Sequence, residues 1–378
     1  MKQKKNIKIM AMYLPQYHEI PENSFFWGKG FTDWVSVRSA KPLYEGHNQP
    51  NVPIDSEYYD LSQKEAIVKQ AELAKKYGVY GFGLYHYWFS DEKNLLTAPS
   101  EIILGNKDID IPFFFAWDNS SWKRTWSRIK GGNDWAPKVD QTVKNEIKEE
   151  DGYLVKYVLG REPQWENHYN YLSRFFHDER YVKIDNKPLF FIYNYSKEIS
   201  EMEAYFDVLA KKDGFDGINI VYRKCKVHAV PNDKNIFNYE PSYSGWEGYL
   251  TSIKNKLLKK KKKRKLRKYD YDVIWRKILK VTKKRAGSNF YHGAFVSYDD
   301  TPRRGERGSV VLGDSPNKFQ KYLSELIRIC DKQDKEYVFL TAWNEWGEGA
   351  YLEPDVKNGY AYLEAVKNAL AETGHGEN

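Results

Sequence analysis

Two glutamates three positions apart, Glu345 and Glu348, lie in Trp343-Asn344-Glu345-Trp346-Gly347-Glu348-Gly349, directly after the apolar run Tyr337-Val338-Phe339-Leu340. Two carboxyls in unlike surroundings titrate differently, so such a pair can divide acid and base duties at a glycosidic bond. Aromatic faces stack on the C–H side of pyranose rings, which makes a tryptophan-framed pair at a strand end a candidate sugar-processing site. The competing reading is a polar loop with two solvated carboxylates. Tryptophans on both sides of Glu345 weigh against it, and the motif stands as a hypothesis to be tested by its context.

A strand must deliver that pair, and eight short apolar runs read as strands: Ile7–Leu14, Val79–Tyr85, Pro112–Trp117, Pro188–Tyr193, Ile218–Tyr222, Ile236–Tyr239, Gly293–Tyr298 and Tyr337–Trp343. Their near-continuous hydrophobicity suits strands covered on both faces. Helical patterns lie between several of them: from Ser62 to about Tyr77, then Trp165–Phe176, Ser200–Lys212, Pro316–Lys332, and a last one after Gly359. Strands alternating with helices predict an α/β fold, and eight strands predict a closed (β/α)8 TIM barrel. A doubly wound open sheet is the alternative, without a G-x-G-x-x-G or P-loop after any strand to support it.

Barrel active sites form at strand C-termini. The residues there are Tyr13, Gln16 and His18; Tyr85, His86 and Trp88; Trp117 and Asp118; Tyr193; Tyr239; Tyr298 and Asp300; and Trp343, Asn344, Glu345 and Glu348. Nearly every strand end offers an aromatic ring with a polar group, so all of these are candidate substrate-binding residues around the two catalytic glutamates. The connections Leu14 to Leu61 and Asp118 to Gln164 are long enough to wall a groove. His18, His47 and His86 share no metal-ligand spacing, and Asp299-Asp300 precedes Arg303-Arg304, which reads as guanidiniums pairing those acids. No metal and no cofactor is expected.

Composition narrows the class. The 378 residues include 12 Trp, 30 Tyr and 19 Phe, many of them beside polar residues, as in ligand grooves. Two cysteines, Cys225 and Cys330, cannot form a disulfide framework and fit a reducing compartment. The apolar stretch behind the basic start is broken by Lys8 and ends at Pro15, too short for a signal h-region, and no run reaches the length of a membrane span. The expectation is a soluble, cytoplasmic protein of one domain, 1–378, with a basic insertion at about 251–286. Lys254–Lys268 holds eleven Lys or Arg and no acid, so with a net charge of +8 the rest of the chain is net acidic. That run is either a solvated charge tract or part of a helix, Ile253 through Lys284, with Leu257, Leu258, Leu266, Ile274 and Ile278 as anchors on an anionic membrane surface. Nucleic-acid binding is disfavoured by the acidic remainder and the lack of a recognition motif.

Several longer motifs resemble the WbsX-like glycosyltransferase family, related to glycoside hydrolase family 99. They are Tyr13-Leu14-Pro15-Gln16-Tyr17-His18, Trp27-Gly28-Lys29-Gly30-Phe31-Thr32-Asp33-Trp34, Tyr44-Glu45-Gly46-His47-Asn48-Gln49-Pro50, Tyr85-His86-Tyr87-Trp88-Phe89, Asp300-Thr301-Pro302-Arg303-Arg304-Gly305, and Ala342 through Pro354. The resemblance covers nearly the whole chain and implies a (β/α)8 barrel. It also implies retaining chemistry in which Glu345 removes the proton of the sugar 2-hydroxyl. That oxygen attacks C1 to give a 1,2-anhydro sugar, while Glu348 acts as acid on the leaving oxygen and later as base. An enzyme carboxylate is then not the nucleophile, unlike the usual retaining scheme. O2 must lie trans to the leaving group, which implies α-manno- or α-rhamno-configured substrates. Where many relatives carry an Asn-Glu pair after strand three, this chain has Trp117-Asp118-Asn119-Ser120-Ser121-Trp122, a departure at a substrate contact. Three functions compete: a retaining hydrolase or transglycosylase in surface-polysaccharide (O-antigen or capsule) metabolism, a glycosyltransferase with an activated donor, and a non-catalytic glycan-binding protein.

Overall fold

Eight apolar runs form eight parallel strands: β1 (Lys8–Tyr13), β2 (Val79–Ser90), β3 (Phe113–Trp117), β4 (Lys187–Ile192), β5 (Asn219–Lys224), β6 (Asn235–Asn238), β7 (Phe290–Phe295) and β8 (Tyr337–Thr341). Each pairs in parallel with its sequence neighbour, and β8 pairs with β1 through Lys8↔Tyr337 to Ala11↔Leu340, so the sheet closes. The structure is a computed structural model and describes residues 6–123, 153–224, 230–245, 266–287 and 289–376.

Helices α1 (Lys64–Lys76), α2 (Ala98–Gly105), α3 (Glu162–Phe176), α4 (Lys197–Lys212), α5 (Tyr271–Lys284), α6 (Pro316–Lys332) and α7 (Ala361–Glu372) alternate with the strands. Among the described residues only the β5–β6 connection lacks a helix. Helix α6 shows how sequence sets these elements. Ser315 accepts the amide of Lys318, Pro316 opens the first turn, and Phe319, Tyr322, Leu323, Leu326, Ile327 and Cys330 recur at helical spacing on the buried face. The fold is the expected (β/α)8 barrel.

The barrel interior is packed rather than hollow. Phe114, Phe191, Phe237 and Phe339, from β3, β4, β6 and β8, meet across it with ring centroids 4.7–5.5 Å apart. Opposite them β2 carries Gly83, where a Cβ would lie 2.6 Å from the Phe114 ring, so only glycine lets the strand approach. These rings form the floor beneath the mouth.

Two expectations change. The seventh strand runs three residues earlier than predicted, because residues 297–300 leave the ladder to build the mouth: Asp299 donates its amide to Glu348 O, and Ser297 Oγ donates to Gly349 O. The second concerns the basic stretch. Residues 246–265 lie outside the described residues, but 267–284 are not an appendage. Arg267–Asp270 pairs in parallel with Ser309–Leu312, and α5 starts at Tyr271 behind an Asp270 cap. Ile274 and Ile278 are buried on α5, and Trp275 beside them stacks on Tyr322 and Phe295, so they are barrel core and not membrane anchors.

Candidate active site

Glu345 and Glu348 emerge just past β8, in a turn held from three sides. Tyr17 Oη donates to Asn344 O (2.6 Å) and accepts from Trp346 N (3.1 Å), gripping the backbone on both sides of Glu345. Asn344 pins the turn to the end of β1: its Oδ1 accepts from Leu14 N and its Nδ2 donates to Leu14 O. Behind the turn, the buried Glu353 accepts from Trp346 Nε1, Tyr59 Oη and Gln70 Nε2 at 2.6–2.7 Å. Burial pushes its carboxyl up to about 7 against those hydrogen bonds.

The two glutamates share one cation. Arg303, from the loop after β7, donates from Nη1 to Glu348 Oε1 (2.9 Å) and from Nη2 to Glu345 Oε2 (3.0 Å). Its Nε and Nη2 also engage Asp33 Oδ1 and Oδ2, at 3.2 and 3.0 Å. The glutamates differ in exposure: the Glu345 side chain is 6% exposed and that of Glu348 24%. Burial raises the Glu345 carboxyl to about 8; Arg303 opposes that rise, and the charges of Glu348 and Asp33 add to it. The pair therefore meets the physical requirement for divided roles, one group shielded and proton-retaining, the other open to the mouth.

The surrounding rings are tyrosines. The Glu345 charge reaches Tyr85, Tyr87 and Tyr239, and that of Glu348 reaches Tyr239 and Tyr298. Tyr85 Oη lies 3.1 Å from Tyr239 Oη, and Tyr193 packs edge-on to both rings. The Arg223 guanidinium lies 4.1 Å from the Tyr193 ring centroid, and its charge reaches Asp118, whose carboxyl is raised chiefly by burial. Asp300 holds Arg304 at 3.1 Å and is also within reach of Tyr298 Oη (3.3 Å); burial raises it to about 6. Tyr85, Asp118, Tyr193, Tyr239, Tyr298 and Asp300 thus gather at the mouth with the glutamates.

Other candidates are placed elsewhere. Tyr13 turns outward and donates to Gln70 Oε1 on α1. His86 Nε2 meets His168 Nε2 of α3 at 2.9 Å, Trp88 stacks on the same histidine, and Trp117 packs edge-on to it. These four face the helix layer and not the mouth. Side chains alternate across a strand, so Tyr85 and Tyr87 point in where His86 and Trp88 point out. Trp343 and Trp346 are fully buried: Trp343 packs on Phe82, and Trp346 stacks 3.7 Å from Tyr351. The rings framing Glu345 in sequence are therefore scaffold, not stacking platforms. Gln16 is half-buried and its carbonyl accepts the amide of Asp33; His18 is buried, which lowers its pKa, with Asp60 nearby. His47 Nε2 contacts Asp299 Oδ2 at 2.7 Å, a bond between loops.

Arg303, Asp33, Tyr17, Tyr87 and Glu353 were missed as site residues. Period-two alternation from Tyr85 signals Tyr87. No local pattern joins Asp33 to an arginine 270 positions away.

Comparison with known proteins assigns this closed barrel, with two carboxyls at its C-terminal mouth, to a family. Residues 9–366 match the model of the family described as Glycosyltransferase WbsX, and the chain belongs to that family. It is 30% identical over 373 residues to "Uncharacterized protein WxcX" of Xanthomonas campestris pv. campestris, covering 96% of this chain and 49% of the relative. The chain thus spans about half the length of the curated relatives it matches. Among solved structures, a "Glycoside hydrolase-like protein" aligns with a TM-score of 0.58 at 12% identity, over 98% of this chain and 95% of the other. The GH99 endo-alpha-mannosidase from Bacteroides thetaiotaomicron, in complex with bis-tris-propane, aligns with a TM-score of 0.56 at 13% identity over 98% of both chains. At that identity the likeness concerns the fold.

Proposed function

We propose that this barrel makes or breaks α-manno- or α-rhamno-configured glycosidic bonds with retention, in the metabolism of a bacterial surface polysaccharide. The observation carrying this reading is the Glu345/Glu348 pair on one guanidinium, with unequal shielding, inside a ring of tyrosines. Glu345 as carboxylate takes the 2-hydroxyl proton. O2 attacks C1, the C1–O bond to the leaving group breaks, and Glu348 gives that oxygen its proton. The 1,2-anhydro sugar is opened when Glu348 deprotonates an acceptor hydroxyl or water that attacks C1, and Glu345 returns the proton to O2. Two inversions at C1 give net retention.

Because burial favours the proton on Glu345 below about 8, the reacting form is the less populated one, with Glu345 ionised and the proton on Glu348, and an ionised carboxyl so raised is a stronger base toward a sugar hydroxyl. The test uses two α-mannosyl substrates, a fluoride and an alkyl glycoside, with product stereochemistry followed by NMR. Fluoride departs without a proton, so its turnover should rise with pH through about 8 as Glu345 ionises. The glycoside also needs the pair's last proton and should decline above the same pH. Glu348→Gln should spare the fluoride relative to the glycoside, and Glu345→Gln should lower both about 10²- to 10⁴-fold. Turnover of both substrates unchanged in both variants would leave only a glycan-binding protein. Activity confined to an activated donor would favour the glycosyltransferase reading that the family description supports.

We further propose a cytoplasmic location at the inner membrane face. Among the described residues no helix is long and apolar enough to cross a membrane. The basis is the charge of Lys254–Lys268, of which 254–265 lie outside the described residues; each basic residue near an anionic surface contributes about 1 kcal/mol. Replacing the lysines and arginines of 254–265 by glutamine, which spares the strand Arg267–Asp270, should abolish co-sedimentation with anionic vesicles, and retained binding would reject the idea.

A further inference from the structure

Arg303 is built into the mouth more firmly than a charge-neutralising arginine needs to be. Its Nε and Nη2 form a two-pronged grip on Asp33, while Nη1 and Nη2 face the two glutamates. Asp33 opens the short helix Asp33–Ser39, is itself buried, and donates its amide to Gln16 O, so the end of the β1 loop fixes the carboxylate that holds the guanidinium. A second observation comes from Gly347, between the two glutamates. A Cβ there would collide with Asp33 Oδ2 and Arg303 Nε, so the guanidinium lies close against the motif backbone where only glycine leaves room.

We infer that Arg303, aimed by Asp33 and seated on Gly347, is a positioning residue that holds the two glutamates at one fixed spacing and sets which of them carries the proton. The inference rests on the reading of Glu345 and Glu348 as the reacting pair. A planar guanidinium with donors in a fixed fork can satisfy three carboxylates at defined angles, which the point charge of a lysine cannot. The groups facing Glu345 are Arg303 from the β7 loop, Glu348 on its own turn, Asp33 and Tyr17 from the β1 loop, Tyr85 and Tyr87 from β2, and Tyr239 from β6. Asp33 pushes the Glu345 carboxyl up and Arg303 pulls it down, so removing each should move the same titration in opposite directions.

The experiment compares Asp33→Asn, Arg303→Gln, Arg303→Lys and Gly347→Ala with the parent protein, each checked for native thermal unfolding. The rising limb of α-mannosyl fluoride turnover should shift to lower pH in Asp33→Asn and to higher pH in Arg303→Gln. Arg303→Lys should keep the limb near its parent position but lose at least tenfold in kcat, because the charge remains and the fork is gone. Gly347→Ala, which removes no charged group but pushes the guanidinium off the turn, should lower kcat with little change in KM. Limbs that stay put in both Asp33→Asn and Arg303→Gln would overturn the inference and leave Arg303 a structural residue. So would full rescue of kcat by Arg303→Lys. The same opposite shifts can be read without turnover, from the carboxyl 13C resonance of Glu345 assigned by its loss in Glu345→Gln. If no substrate is turned over but the resonance shifts oppositely, the clamp stands and the proposed reaction fails. If turnover exists and the resonance is unmoved, the reverse holds.

Discussion

Two aromatic clusters lie side by side at the strand ends, one inside the barrel mouth and one between β2, β3 and α3. The inner cluster combines Tyr85, Tyr193 and Tyr239 with charged neighbours, Glu345, Glu348 and Arg303. The outer one combines His86, His168, Trp88 and Trp117, and its histidines satisfy each other. Composition alone would rank the outer cluster first, since histidine and tryptophan are the stronger functional signals. Its histidines are neutral because burial lowers both their pKa values, and its rings are packed on helix α3. The inner cluster instead gathers three carboxyls on one guanidinium. What separates the two clusters is the direction of the strand and the balance of charge, not the residue types.

The sharpest way to break this comparison is to remove one carboxylate or one ring from each side. Glu345→Gln should lower turnover of an α-mannosyl substrate about 10²- to 10⁴-fold, the range general acid–base groups supply, while leaving the fold intact. Trp117→Ala in the outer cluster should do the converse. Loss of so large a buried ring costs about 3–5 kcal/mol, visible in denaturant unfolding, with kcat/KM of the remaining folded protein unchanged. Should Trp117→Ala depress kcat/KM as strongly as Glu345→Gln, the division into active and structural clusters would be wrong.

Stability against pH sharpens the same contrast, because the clusters carry opposite signs. Glu345 has its folded-state pKa raised from 4.5 to about 8, so its contribution is fully present below 4.5 and is lost as pH rises through about 8. His86 has its pKa lowered from 6.5 to about 3, so its contribution is present above 6.5 and is lost as pH falls toward 3. Thermal unfolding followed from pH 4 to 9 should show Glu345→Gln flattening the alkaline decline only, and His86→Phe flattening the acid decline only. Parallel curves for the two variants would remove the electrostatic distinction.

The fold was largely legible in the sequence because each strand of a covered parallel barrel is a short apolar run, and eight of them recur between helix signals. Strand β7 shifted because Phe290-Tyr291-His292 join the ladder ahead of residues 293–295, whereas Ser297-Tyr298-Asp299-Asp300 leave it for the mouth. The glutamates were legible because a strand and a glycine-rich turn frame them. Side-chain direction was available too: counting by twos from Tyr85 assigns Tyr87 inward and His86 outward, and applying strand-end position without that parity placed Tyr13, His86, Trp88 and Trp117 in the wrong layer. Sequence proximity pairs Arg303 with Asp299 or Asp300. Arg304 takes Asp300 instead, and Arg303 crosses to Asp33 and the glutamates. That pairing depends on closure of the whole barrel, which brings the β1 and β7 loops together, and no local pattern encodes it. Glu353 was likewise hidden, since its neutral donors come from the β1 loop, α1 and its own turn.

The smallest expected effect comes from one chemical change made at two strand ends. Tyr85→Phe and Tyr13→Phe each delete a phenolic oxygen from a buried ring. Tyr85 Oη stands at the mouth, 3.1 Å from Tyr239 Oη and within the field of Glu345. Tyr13 Oη donates to Gln70, which in turn donates to Glu353 behind the turn that carries Glu345. A hydrogen bond of this kind contributes about 0.5–1.5 kcal/mol net, so Tyr85→Phe should cost roughly two- to tenfold in kcat/KM at little cost in stability. Tyr13→Phe should cost about 1 kcal/mol of unfolding free energy, with kcat/KM within about twofold of the parent, because its hydroxyl meets no substrate. An equal kinetic loss at both positions would mean that the Gln70–Glu353 chain transmits to Glu345 as strongly as a direct contact does. The inner and outer layers would then be one functional unit rather than two.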